Sequence, residues 1–168
     1  MGGREAGAAR PGLRRRPGGL TRFLYDTAVF VYAVGAPHPY RPPCREIVDL
    51  AATRRLFGEA SADLVQEFLH RRWVRTRDRA KAVQDSREVA GLCELHPLRP
   101  DDVRLALRLF EAARSLNARD AAFAAVALNR GIDVILSPDR HFDEVPGLRR
   151  VDPADSAAVA GLAAAPPG

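Results

Sequence analysis

Apolar positions along this chain fall into short compact runs and longer helical stripes, in alternation. Phe23-Leu24-Tyr25 reads as a first buried strand, and Thr27 to Val34 continues as a helix that Gly35 and Pro37 stop. Cys44 to Arg54 predicts a second helix with Ile47, Val48 and Ala51 on one face, and Arg55-Leu56-Phe57 a brief second strand. Ser61 can cap the helix after it, with Asp63 in the first turn and Leu64, Val65, Phe68 and Leu69 as its apolar stripe. Residues 77–92 predict a charged helix, and Glu94-Leu95-His96 a third strand. Pro100 and Asp101 open a helix expected to bury Val103, Leu107 and Phe110. Asn117 caps an apolar helix from Ala118 to Asn129 that Gly131 closes; Asp133 to Leu136 follows as a fourth strand and Arg150-Val151 as an edge strand. Repeated strand–helix units imply an α/β fold, a parallel sheet covered by helices on both faces.

Length and charge sharpen this picture only slightly. At 168 residues the chain is expected to be one domain. The net charge of +5 resides in residues 1–22, which hold six Arg and one Glu; the remainder is balanced. High basicity is therefore a property of the tail and says little about nucleic-acid binding by the folded part. Residues 1–21, rich in Arg and Gly, read as a disordered tail, with a true start near Leu20 as the alternative. Residues 154–168 read as a short helix and a frayed end. No apolar run is long enough for a membrane span, and no secretory apolar stretch opens the chain. Cys44 and Cys93 have no metal or redox spacing and read as buried thiols, so a cytoplasmic location without membrane association is expected.

Four acidic residues change the picture more. Asp26 follows the first strand, Glu67 flanks the stripe of its helix, Asp120 lies in the first turn of the Ala-rich helix, and Asp139 follows the fourth strand in Ser137-Pro138-Asp139-Arg140-His141-Phe142. Each sits against an apolar run, where a charge is costly unless compensated. Ligands of open parallel sheets gather at the carboxyl ends of strands. If the helices enter on one side, four carboxylates meet at one mouth, where like charges raise each other's pKa. A divalent cation resolves this, and hard oxygen donors suit Mg²⁺ or Mn²⁺ rather than Zn²⁺. Arg71, Arg75 and Arg79 would form a basic stripe for RNA phosphates if their helix ran unbroken; a solvated charged face is the plainer reading.

These motifs, in this order, resemble the PIN-domain ribonucleases, in particular the VapC-type toxins of bacterial toxin–antitoxin pairs, from Phe23 to about Asp152. The resemblance implies a three-layer α/β/α PIN-like domain over residues 22–153 with a mainly parallel central sheet. It implies catalytic metal ligation by Asp26, Glu67, Asp120 and Asp139, with Thr27 and Ser137 supporting them. It implies Mg²⁺-dependent hydrolysis of RNA, with Mn²⁺ as a substitute ion, a cognate antitoxin partner and a homodimer. Pro138 departs from the pattern and restricts Ser137 to extended geometry.

Each acid also has an ordinary explanation. Asp26 can cap the helix at Ala28, Asp120 can share a capping box with Asn117, Glu67 can pair with Arg71 at i+4, and Asp139 can be a turn residue. A PIN-like module that binds RNA or a partner without cutting is the alternative function. Asp26-Thr27-Ala28 fits neither the acidic pair of a phosphoryl-transfer receiver nor the Asp-x-Asp of a haloacid-type phosphatase. Asp143 reads as a loop surface residue, and His38, His70, His96 and His141 carry no assigned role.

Overall fold

In the computed structural model, residues 21–163 are described. The tail reading of residues 1–20, the start near Leu20 and the frayed residues 164–168 lie outside them. The elements run β1 (Leu24–Tyr25), α1 (Thr27–Val34), α2 (Arg41–Ala52), β2 (Gly58–Ser61), α3 (Ala62–Thr76), α4 (Arg79–Leu92), β3 (Cys93–His96), α5 (Pro100–Ala112) and α6 (Ala118–Asn129). They continue with β4 (Val134–Leu136), a 3₁₀ turn (Arg140–Glu144), β5 (Arg149–Val151) and α7 (Ser156–Ala160). The five strands form one sheet in the order β3-β2-β1-β4-β5, and every pairing is parallel. Helices cover it, so the α/β/α reading of the sequence holds. No helix among the described residues is long and apolar enough to cross a membrane.

The chain leaves β1 toward β2 and β3 on one side and returns as β4 on the other side of β1. That reversal opens a crevice between the carboxyl ends of β1 and β4, where open α/β sheets bind ligands. Tight packing beneath fixes the crevice. Phe23, Tyr25, Phe30 and Phe68 are fully buried and meet edge to face or tilted at 4.9–6.4 Å between ring centroids.

The second strand lies at Gly58–Ser61 and not at Arg55-Leu56-Phe57 as expected. Residues 53–56 form a turn closing α2: Arg54 adopts a left-handed φ of 60°, and the amides of Arg55 and Leu56 both donate to Leu50 O. Leu56 is apolar because this turn is buried. The strand begins with Gly58 because a Cβ there would lie 2.4 Å from the Tyr25 ring and 2.5 Å from that of Phe23. The second helix starts three residues before its expected beginning at Cys44. Pro42 and Pro43 occupy its first turn, where no amide donor is needed.

Helix α5 is rotated from its expected setting. Val103, Leu107 and Phe110 face solvent, Leu107 being 66% exposed. The buried stripe is Asp102, Ala106 and Leu109. Asp102 sets this rotation. Its carboxylate accepts from Arg130 Nη1 and Nη2 at 2.9 and 3.0 Å, from Asn129 Nδ2 at 2.8 Å and from the Arg99 amide at 2.8 Å. The Arg130 charge and these donors hold its carboxyl below the usual range against the opposing effect of burial. A comparable ionic knot joins β2 to the strands beside it: Glu59 takes two 2.8 Å bonds from Arg22 and lies 2.6 Å from His96 Nε2.

Candidate metal and RNA site

The crevice contains all four acids singled out in the sequence. Asp26 follows β1 directly, and its amide donates to Leu136 O of β4 at 3.1 Å, which places its side chain at the strand reversal. Ser137, fully buried at the end of β4, bridges two of the acids. Its Oγ donates to Asp26 Oδ2 at 2.6 Å and accepts from the Asp139 amide at 2.9 Å. The extended backbone that Pro138 imposes on Ser137 is compatible with this bridge. Asn117 caps α6 through its Oδ1, accepting from the amides of Arg119 and Asp120, and its Nδ2 donates to Asp120 Oδ2 at 2.6 Å. Glu67, on α3, takes Arg71 Nε at 2.7 Å and Arg119 Nη1 at 2.5 Å. The four acids, Arg71, Asn117 and Arg119 line a cleft of about 670 Å³ with Ala28, Val31 and Tyr32 of α1.

The ordinary explanations for each acid are also present. Asp26 Oδ1 accepts from the Ala28 amide at 3.2 Å, the Glu67–Arg71 pair exists, and Asp139 Oδ1 accepts from the His141 amide at 3.0 Å. None of these contacts accounts for the convergence. An N-cap or a helix ion pair places no demand on where the next acid lies, yet four from separate elements share one cleft.

The electrostatics show what this convergence costs. Asp26 is pushed up to about 6, chiefly by burial and further by Glu67 and Asp139, against the opposing hydrogen bonds from Ser137 and Ala28. Asp120 is pushed up to about 7 by burial and by Asp26, Asp139 and Glu67, with Arg119 opposing. Neither carboxyl has a cation near enough to offset its burial and its acidic neighbours. This donor set fits a hard divalent ion, which reverses the repulsion by giving each carboxylate a shared counter-charge. Among the described residues, ligand atoms of Asp120, Asp139 and His141 lie within 4.8 Å of one another.

His141 was given no role from the sequence, although its place two residues after Asp139 is a signal, because an Asp that accepts from the i+2 amide folds that residue back toward its own carboxylate. His141 Nδ1 is 3.1 Å from Asp139 Oδ1. Arg119 pairs with Glu67 on another helix, so no sequence spacing reveals the pair. Thr27 is buried with Oγ1 unpartnered among the described residues, so it hydrogen-bonds none of the acids. Asp143 is held by Arg150 outside the cleft, at 2.9 Å.

A second groove of about 740 Å³ continues from the cleft past Glu67, lined by His70, Arg71, Val74, Arg75 and Arg119. Arg79 is not part of it. The α3 helix stops at Thr76 with Arg77 left-handed at φ 56°, and Arg79 starts α4 with its guanidinium 5.1 Å from the Trp73 ring centroid. The stripe expected from i, i+4, i+8 spacing is thereby cut to Arg71 and Arg75, which Arg119 extends.

A parallel sheet in the order 3-2-1-4-5 with carboxylates converging at its strand reversal defines a class of α/β proteins with an acidic cleft at the carboxyl ends of the strands. The sequence model of the PIN domain matches residues 23–148, and the chain belongs to the PIN-domain family. It is similar to Ribonuclease VapC7 of Mycobacterium tuberculosis, 37% identical over 141 residues that span 83% of this chain and 96% of that protein. Its fold is like that of VapBC2 from Rickettsia felis, solved bound to a DNA fragment from their promoter, with a TM-score of 0.61, 12% identity and coverage of 79% of this chain and 98% of that one. It is also like a chain of a toxin–antitoxin complex from Klebsiella pneumoniae, at a TM-score of 0.57, 15% identity and coverage of 77% and 96%.

Proposed function

We propose that this protein is a metal-dependent endoribonuclease, the toxin of a toxin–antitoxin pair, and that its ion is Mg²⁺, with Mn²⁺ able to replace it. The observation that carries the reading is the pair of buried carboxyls, Asp26 and Asp120, whose pKa values are raised in a cleft also lined by Glu67 and Asp139. The relative named Ribonuclease VapC7 supports RNA as substrate. An ion bound by these acids would supply an activated water and neutralise charge developing on the phosphodiester. The chain's own part is positional. Ser137 fixes the Asp26 carboxylate through Oδ2, Asn117 fixes that of Asp120, and Arg71, Arg75 and Arg119 offer cations to the RNA backbone beside the cleft.

A cognate antitoxin is the proposed partner, supported by the likeness to a toxin–antitoxin complex. A second copy of the chain is proposed to cover the apolar face of α5 formed by Val103, Leu107 and Phe110. A cytoplasmic setting is consistent with an RNA substrate.

The deciding experiment is cleavage of RNA by the wild type and Asp26→Asn, in Mg²⁺ and in EDTA. Cutting by the wild type in Mg²⁺ alone, lost in the variant by at least about a hundredfold, is expected. Undiminished cutting by Asp26→Asn would sink the assignment.

A further inference from the structure

One helix, α1, brings an aromatic ring to the acidic cleft. Ala28, Val31 and Tyr32 face it from α1, at the i, i+3 and i+4 spacing of a single helix face. Asp26 caps this helix, so the acid and the ring are held by one short rigid element. The Tyr32 ring is half-buried and belongs to a three-ring cluster at the α1–α2 corner. His38 stacks on it at 4.4 Å between centroids and 25° between planes, and Tyr40 lies 5.7 Å away at 35°. His38 and Tyr40 are themselves near parallel, at 5.9 Å and 14°. Tyr40 is tied down in turn: its hydroxyl donates to Asp152 Oδ2 at 3.0 Å, and the same oxygen accepts from Arg150 Nη1 at 3.1 Å. Arg119 and Arg71 line the same cleft, and the adjoining groove adds Arg75.

We infer that Tyr32 is a stacking platform for an unpaired base of the RNA next to the scissile phosphate. His38 and Tyr40 act as buttresses that keep its ring in place. This deepens the ribonuclease reading and rests on it for the identity of the strand. The physical case has two parts. Core packing accounts for only part of this cluster at the edge of an acidic cleft: Tyr32 and Tyr40 rest against the core yet stay half-buried, and His38 is exposed. Single-stranded nucleic acid is held by a pairing of ring faces for bases with cations for phosphates, and this cleft is lined by both beside its acids. A base in a duplex keeps both faces covered by its neighbours, so the platform selects a nucleotide in a loop, a bulge or a free strand. Tyr32 thereby sets which phosphates reach the acids, a specificity role distinct from chemistry.

The test uses the full chain carrying Asp26→Asn, so that RNA is bound and not cut, and single-stranded RNA oligonucleotides with 2-aminopurine walked through successive positions. Stacking on Tyr32 quenches the probe at one position. Tyr32→Leu is expected to remove that quench and weaken binding roughly tenfold, and Tyr32→Trp to restore both. His38→Ala, at an exposed position with little bearing on folding, should give a partial loss. In the cleaving protein Tyr32→Leu should raise KM for an unpaired substrate roughly tenfold, with kcat and the Mg²⁺ titration little changed. A simple packing role for the ring would not produce a position-specific quench or its rescue by Trp. Equal quench and equal KM in Tyr32→Leu would overturn the inference. A ring-dependent quench from a wild type that never cuts RNA would uphold the platform and remove the nuclease reading instead.

Discussion

Ser137 shows how much a single hydroxyl arranges. Fully buried, it donates to Asp26 and accepts from the backbone of Asp139, so it couples two strand ends and two acids through one oxygen. Its donated bond also favours the ionised form of Asp26, opposing burial. Groups that orient ligands in this way typically contribute about 10–100-fold to metal affinity. Ser137→Ala is therefore expected to weaken Mg²⁺ or Mn²⁺ binding by about that factor in calorimetric titration, while Ser137→Thr keeps part of it. Affinity unchanged in the Ala variant would mean that Asp26 needs no such support. The four acids were legible in the sequence because Asp26, Asp120 and Asp139 stand at element ends and Glu67 flanks the apolar stripe of its helix. His141 and Arg119 were not, because their importance lies in which side chain they meet.

At the scale of elements, apolar spacing placed α1, α3, α6, β1, β3, β4 and β5 within a few residues of where they lie. It failed where packing competes with pattern. Arg55-Leu56-Phe57 looks more strand-like than Gly58-Glu59-Ala60-Ser61, yet the rings of Phe23 and Tyr25 leave room only for a glycine at the start of the strand between them. In α5 the buried ionic anchor of Asp102 on Arg130 outweighs an apolar stripe, because an unpaired buried charge costs more than three exposed side chains. What results is a helix with Val103, Leu107 and Phe110 turned outward, the face proposed for a second copy. Leu107→Glu should convert a dimer to a monomer in sedimentation velocity, with an unfolding midpoint for the monomer close to the wild type's, since surface substitutions usually shift stability by less than about 0.5 kcal/mol. A wild type that sediments as a monomer at tens of micromolar would remove the second copy from this face.

For the whole molecule, the acids pull stability in two directions with pH. Asp85, Asp102 and Asp152 have carboxyls held low by Arg72, Arg130 and Arg150 among their partners; their contribution is present above about pH 4 and is lost as pH falls through their folded pKa values. Asp26 and Asp120 act oppositely. Raised to about 6 and about 7, they are better accommodated neutral, so their contribution is complete below about pH 4 and is lost as pH rises through 6 and 7. The metal-free protein should therefore be most stable near pH 4 and lose on the order of 4 kcal/mol between pH 5 and pH 8. A cation that binds only the folded state restores stability by about 2.7 kcal/mol at a hundred times its dissociation constant. Urea unfolding at pH 5 and pH 8, in EDTA and in Mg²⁺, measures both effects. Asp120→Asn gives the sharper outcome: it should stabilise the metal-free protein at pH 8 and abolish the gain from Mg²⁺. If Asp120 were instead a structural cap, the variant would lose stability at both pH values and Mg²⁺ would be without effect on the wild type. The sign of that one difference separates a carboxylate placed for a cation from one placed for a helix.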